Sequence, residues 1–249
     1  MNKNKSSQNW FESWFDSPFY HKLYQNRDFA EAEFFIQNLV NFLDLNRSEK
    51  VLDLACGKGR HAYFLSQFGL DVLGLDLAEN SIKEANKIHS HARLKFDVHD
   101  MREVYKNEKF DYIFNLFTSF GYFDDESDNL KVLKSINSML EPDGKLVIDF
   151  MNATKVINNL VQKEEKLCEN TLFSIERKYD GKHIFKNISF ANEGKYYNFT
   201  ERVQALKLAD FNILLEKAGF ILLNTFGDFS LGDFDEENSA RLILIARKK

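Results

Sequence analysis

The stretch Val51-Leu-Asp-Leu-Ala-Cys-Gly-Lys-Gly-Arg-His-Ala62, followed by Leu70-Asp-Val-Leu-Gly-Leu-Asp76, restricts the possible folds more than any other part of this chain. An apolar strand runs into a Gly-x-Gly turn, a helix follows, and a second apolar strand ends on an acid. This is the order of a βαβ unit with a ligand site at its first turn. Gly57 and Gly59 let the backbone approach a bound molecule closely and adopt positive φ. Asp76 closes the second strand, where a carboxylate can accept both hydroxyls of a ribose.

The same rhythm continues downstream. Strands are expected at 50–55, 71–75, 94–98, 110–116 and 145–150, and helices at 59–68, 79–88 and 127–140, with a Glu141-Pro-Asp-Gly144 turn before the fifth strand. Strands alternating with helices imply right-handed crossovers and a parallel sheet. The rhythm changes after residue 150. A helix is expected at 154–168, then three strands at 172–179, 183–191 and 195–206, with turns at Asp180-Gly181 and Glu193-Gly194. A helix at 209–218 ends at Gly219. The strands at 220–226 and 241–246 are joined without a helix and should therefore pair antiparallel. Upstream, residues 8–44 read as helix, dense in aromatic side chains, with Asp16-Ser17-Pro18 as a helix start.

Only 2 prolines occur in 249 residues and no Pro/Ser-rich linker divides the chain, so one domain over 1–249 is expected. It would comprise an N-terminal helical lid at 8–44, a cofactor-binding core at 45–150, an antiparallel β insertion at 171–206 and the remainder of the core at 207–249. The 25 phenylalanines imply heavy aromatic packing. A net charge of −5 without a basic run disfavours a nucleic-acid partner. No apolar run is long enough for a membrane span. The polar start MNKNKSS lacks the apolar core of a signal peptide. Cys56 and Cys168 read as free thiols, and a cytoplasmic location is expected. His89-x-His91 lacks the further ligands of a zinc site, so no metal is expected.

Two cofactors fit the turn. Gly57-Lys-Gly-Arg-His-Ala62 satisfies the Gly-x-Gly-x-x-Gly/Ala pattern of NAD enzymes, which place a pyrophosphate at the helix N-terminus. Asp53, four residues before the first glycine, would repel that phosphate. S-adenosylmethionine has no phosphate and carries an ammonium that Asp53 can serve, so this donor is favoured.

At this point the chain resembles the class I S-adenosylmethionine-dependent methyltransferases over about residues 30–249. The resemblance implies a Rossmann-like α/β fold with a seven-stranded sheet of order 3-2-1-4-5-7-6, strand 7 antiparallel. VLDLACGKGRHA is similar to the first motif and implies Asp53, Ala55, Gly57 and Gly59 around the methionine part. GLDLAENSI implies Asp76 on the ribose and Leu77 beside the adenine. FDVHDMREV implies Asp100 at the adenine amino group and Met101 offering its backbone amide to the ring. FDYIFNLFTSFGYF implies Asn115, Leu116 and Phe117 at the transferred methyl. The C-terminal text, including FTERVQALKLADFNILLEKAGF, resembles a small-molecule subgroup with an antiparallel insertion and an aromatic lid. The N-terminal SPFYHKLYQNRD resembles the lid of that subgroup, and within it Tyr20 and Arg27 are candidates for the methionine carboxylate or the substrate.

The function expected is methyl transfer to an oxygen or nitrogen of a small molecule, with S-adenosylhomocysteine as product. An NAD-linked oxidoreductase and a non-catalytic S-adenosylmethionine-binding protein are the alternatives. In-line displacement at a sulfonium expels a neutral thioether, so orientation and exclusion of water can supply most of the acceleration. Phe117, Phe120 and Tyr122 are candidates to hold the sulfonium by cation–π attraction. His61 and Tyr122 are the candidate catalytic residues, each also explicable by packing. Arg202 and Arg241 either meet an acidic substrate or make ordinary ion pairs. The expected partner is a small methyl acceptor, with the protein a monomer or homodimer.

Overall fold

The computed structural model describes residues 14–24, 29–123, 125 and 127–249. Its centre is a seven-stranded sheet. The strands are β1 (Lys50–Leu54), β2 (Asp71–Asp76), β3 (Leu94–Val98), β4 (Phe110–Asn115), β5 (Leu140–Met151), β10 (Phe220–Phe226) and β11 (Arg241–Lys248), in the order β10-β11-β5-β4-β1-β2-β3. Strands β1 to β5 pair parallel, and β11 runs antiparallel to both β5 and β10. This is the expected topology, read from β3 at one edge to β10 at the other. The central strands β1 and β4 are nearly continuous apolar runs, as strands covered on both faces must be.

Helices close the two faces. On one, α2 (Phe29–Leu43), α3 (Arg60–Gln67) and α4 (Glu79–His89) bury Phe35, Ile36, Leu39, Ala62, Leu65 and Ile82 against Val51, Val72 and Phe114. On the other, α5 (Ser127–Met139) and α7 (Leu208–Lys217) bury Leu133, Ile136, Phe211 and Leu215 against Leu52, Ile113, Ile148 and Leu244. The Glu141-Pro-Asp-Gly144 turn proves to be a bulge within β5. The pairing of β4 with β5 jumps from Phe110↔Leu140 to Tyr112↔Lys145, and Asp143 takes φ 60°.

The second half departs from the expectation at one element. The helix expected at 154–168 stops early: α6 spans Ala153–Asn158, and β6 (Lys163–Cys168) follows as a strand. The Lys-Glu-Glu-Lys run favours helix locally, but pairing with β7 (Thr171–Tyr179), from Lys163↔Glu176 to Cys168↔Thr171, satisfies its backbone in a ladder instead. The insertion therefore has four strands, with β8 (His183–Asn192) and β9 (Lys195–Gln204), in the order β6-β7-β8-β9.

The N-terminal region is not one continuous helix. Ser17 caps the short α1 (Pro18–Leu23), its Oγ accepting the Phe19 amide at 3.2 Å with Pro18 at the first helical position, as the Asp16-Ser17-Pro18 pattern predicts. Trp14, Phe19 and Leu23 pack on Phe173, Ile188, Phe190 and Phe199 of the four-stranded sheet. Glu201 on β9 fastens this contact by accepting from Trp14 Nε1 at 2.7 Å and from Tyr24 Oη at 2.8 Å. Phe19, Phe173, Phe190 and Phe199 thus help to seat the N-terminal segment, while most of the other described phenylalanines pack around the seven-stranded sheet. Among the described residues no helix is long and apolar enough to cross a membrane.

Candidate active site

The carboxyl ends of β1, β2 and β4 surround a cavity of about 510 Å³. Its walls include Ala55, Gly57 and Lys58 from the first turn, Asp76 and Leu77 after β2, Asp100 and Met101 after β3, and Leu116 to Ser119 after β4. Phe15, Tyr20 and Tyr24 approach from the N-terminal segment. Ligands of open α/β sheets sit at this edge, outside the carboxyl ends of the strands.

The first turn takes its shape from left-handed residues: Ala55 at φ 64°, Gly57 at φ 56° and Gly59 at φ 80°. The two glycines serve different ends. Gly57 lines the cavity, and a Cβ there would meet no protein atom within 4 Å, so this space is open to a ligand. Gly59 lies outside the cavity wall, and a Cβ on it would fall 2.4 Å from Phe96 Cε1. Its missing side chain lets α3 start against β3.

Asp76 is tied to the same turn. One carboxylate oxygen accepts the Gly57 amide at 2.7 Å and the other accepts the Ala78 amide at 2.8 Å. Burial raises its carboxyl above the ordinary value, with these two amides acting against the shift. Asp100 is held by Arg102, whose Nη2 and Nε donate to Asp100 Oδ2 and Oδ1 at 2.6 and 3.0 Å. Burial alone would raise the Asp100 carboxyl, but the bonds to Arg102 outweigh it and the group titrates below its usual value.

Asp53 is buried behind the turn, 1% exposed and outside the cavity wall. Its Oδ2 accepts the Ala62 amide at 3.0 Å and so fixes the first turn of α3. Burial pushes its carboxyl up to about 7, with the Ala62 amide opposing and Asp76 adding to the rise. An acid raised in the folded state stabilises the fold at low pH, and that contribution is lost as pH rises from about 4 through about 7. Asp53→Asn should therefore flatten the stability profile across this window and gain stability over the parent at pH 8, checked by urea unfolding at several pH values. A parent protein equally stable at pH 5 and pH 8 would contradict this.

Asn115 is also buried outside the wall. Its Nδ2 donates to Leu54 O at 2.9 Å and binds β4 to β1, while its Oδ1 is buried without a protein partner among the described residues. Leu116 and Phe117 do line the cavity. His61, Tyr122 and Tyr20 line it as well, with Tyr122 packed edge-on against Phe15 at 5.3 Å. Arg27 lies outside the described residues. Phe120 is fully buried against Phe211 and does not reach the cavity, so it is a core residue and cannot face a sulfonium. Arg202 donates to Phe123 O at 3.1 Å, and Arg241 pairs with Asp149 at 2.7 Å; neither lines the cavity. Asp149 was missed in the sequence: it lies two residues before the end of β5 and lacks the strand-terminal position that marks Asp76.

The cavity thus joins the acid that closes β2, a glycine turn and several aromatic side chains at the carboxyl edge of a Rossmann-like sheet. The methyltransferase-domain family matches residues 45–203. The chain belongs to this family of methyl-transferring enzymes. Its sequence is 29% identical over 210 residues to a glycine/sarcosine N-methyltransferase of Aphanothece halophytica, covering 82% of this chain and 76% of that protein. Among solved structures, an S-adenosylmethionine-dependent methyltransferase from Clostridium acetobutylicum superposes with a TM-score of 0.79 at 22% identity, covering 92% of this chain and 96% of the other. A sugar N-methyltransferase of Streptoalloteichus sp. superposes at 0.73 with 17% identity, covering 100% and 97%. The nicotinamide alternative gains no support from these relatives.

Proposed function

We propose that the protein is an S-adenosylmethionine-dependent N-methyltransferase acting on an amine of a small molecule. The observation that carries this reading is one cavity lined together by the open space at Gly57, by Asp76 and Asp100, and by the Leu116–Ser119 loop. Those residues suit the donor: an acid for ribose, an acid for an exocyclic amine, and a side-chain-free turn for the methionine part. The choice of nitrogen rests on the relatives, which are named for N-methylation of glycine, sarcosine and a sugar.

S-adenosylmethionine supplies a methyl on a sulfonium, displaced in line by the acceptor with a neutral thioether as leaving group. Asp76 accepts the ribose hydroxyls and Leu77 flanks the adenine. Asp100 receives the adenine amino group and the Met101 amide meets the ring. Ala55 and Gly57 border the methionine part. Asp53 and Gly59 shape that turn from behind, Asp53 adding negative potential for the ammonium. Asn115 anchors the strand that carries Leu116 and Phe117 to the methyl. An attacking amine must be neutral; among the titratable groups that line the cavity, His61 can take its proton and Tyr122 can accept a hydrogen bond from it. Phe15, Tyr20 and Tyr24 cover the site and exclude water, with Tyr20 available to the acceptor or the methionine carboxylate. The buried free thiols Cys56 and Cys168 suit a reducing cytoplasm.

Incubation with methyl-labelled S-adenosylmethionine and a panel of amino acids, amino sugars and their hydroxyl analogues tests the reading. Label should appear on an amine-bearing member and be absent from its hydroxyl analogue. Label on the hydroxyl analogues alone would overturn the choice of nitrogen.

A further inference from the structure

We propose that Asp149 and Arg241 are positioning residues that hold the Leu116–Ser119 wall of the cavity in its binding conformation. The inference rests on the proposed donor. Phe117 and Thr118 are consecutive non-glycine residues in the left-handed region, at φ 62° and 57°. Each costs about 1–2 kcal/mol in that conformation, and the β-branched Thr118 is the rarer occupant. Strain of this kind persists only where the surroundings over-determine it.

Asp149, two residues before the end of β5, supplies the determinants. Its Oδ2 accepts the Phe117 amide at 2.8 Å, and its backbone oxygen accepts the Thr118 amide at 2.9 Å. Both strained residues are thus fixed by one residue that is 1% exposed. Arg241, which opens the antiparallel β11, completes the clamp. Its Nε donates to Asp149 Oδ1 at 2.7 Å and its Nη2 to Thr118 Oγ1 at 2.9 Å. Its guanidinium also lies 5.8 Å from the Phe117 ring centroid and 5.7 Å from that of Phe229.

The chemistry explains the residue types. A carboxylate offers two acceptor oxygens, one for the loop and one for the guanidinium. An arginine offers a planar fork that reaches an acid and a hydroxyl at once, which a lysine cannot do. The antiparallel last strand therefore has a functional consequence: it delivers Arg241 from the far side of β5 to the wall beside the transferred methyl.

The test uses Asp149→Asn and Arg241→Lys in the full chain, with S-adenosylhomocysteine as probe. Amide exchange by NMR should accelerate at Phe117 and Thr118 by at least about tenfold relative to Ile113 and Phe114 in β4. Calorimetric affinity for the probe should fall at least about fivefold. Arg241→Lys, which keeps the charge, carries the test if Asp149→Asn does not fold. Unchanged loop exchange, equal acceleration of loop and strand, or a freed loop with undiminished affinity would each overturn the proposal. Failure of the parent protein to bind the probe would instead count against the donor.

Discussion

Gly59→Ala should destabilise the fold by about 2–5 kcal/mol, and most of the steric part of that loss should disappear in a Phe96→Ala background. The estimate has two sources. Alanine at φ 80° carries the left-handed penalty, about 1–2 kcal/mol. The new Cβ also meets Phe96 Cε1 and Cζ at 2.4 and 2.5 Å, and overpacking a filled core costs about 1–3 kcal/mol. Phe96 cannot swing away easily, because it is buried between α3 and α4 in the same cluster as Ala85 and Ile82. A double-mutant cycle followed by urea unfolding reads the coupling directly. A coupling above about 1 kcal/mol is expected; strict additivity would mean that Gly59 is needed for its backbone angle alone.

Asp76→Ala should weaken S-adenosylhomocysteine binding by at least about 100-fold. Two effects combine. The charged carboxylate is the proposed acceptor for both ribose hydroxyls, and hydrogen bonds to charged groups contribute about 1.5–3 kcal/mol each. It also accepts the Gly57 and Ala78 amides, so its removal releases the glycine turn proposed to meet the methionine part. A factor of ten corresponds to about 1.4 kcal/mol, so the loss of one such bond plus a loosened turn reaches the predicted change. Asp76→Asn should fall between the two proteins, since its oxygen can keep one amide. Calorimetric titration measures all three, and an alanine variant within threefold of the parent would remove Asp76 from the site.

The two predictions concern residues whose importance was visible in the sequence, because both belong to a short-range pattern. Strand, glycine turn, helix and acid-ended strand are encoded within about 25 residues, and the fold around them follows from right-handed crossovers. The antiparallel final pair was equally legible, since the segment between 220–226 and 241–246, GDFSLGDFDEENSA, carries no helical pattern. What escaped depends on partners distant in the chain. Lys163–Cys168 reads as helix until β7 is present to pair with it. Phe117 and Thr118 have no intrinsic preference for positive φ, so their strain exists only because Asp149 and Arg241 impose it. Phe120, by contrast, looks equivalent to Phe117 in the text FNLFTSFGYF, and only the packing of α7 shows that it turns into the core.

Asp53 occupies a place that the sequence pattern does not indicate. The sequence places an acid near the donor's ammonium. The structure places that acid behind the turn, where it accepts the Ala62 amide and stays outside the cavity wall. Its burial makes it sensitive to pH in the range where the enzyme would work, which ties the stability of the first turn of α3 to the same carboxyl.

The most direct test of the central claim is calorimetric titration of the full chain with S-adenosylhomocysteine, with NADH titrated in parallel. One molecule of S-adenosylhomocysteine should bind per chain, the signal should be lost in Asp76→Ala, and NADH should give no binding. Binding of NADH with no response to S-adenosylhomocysteine would contradict the account.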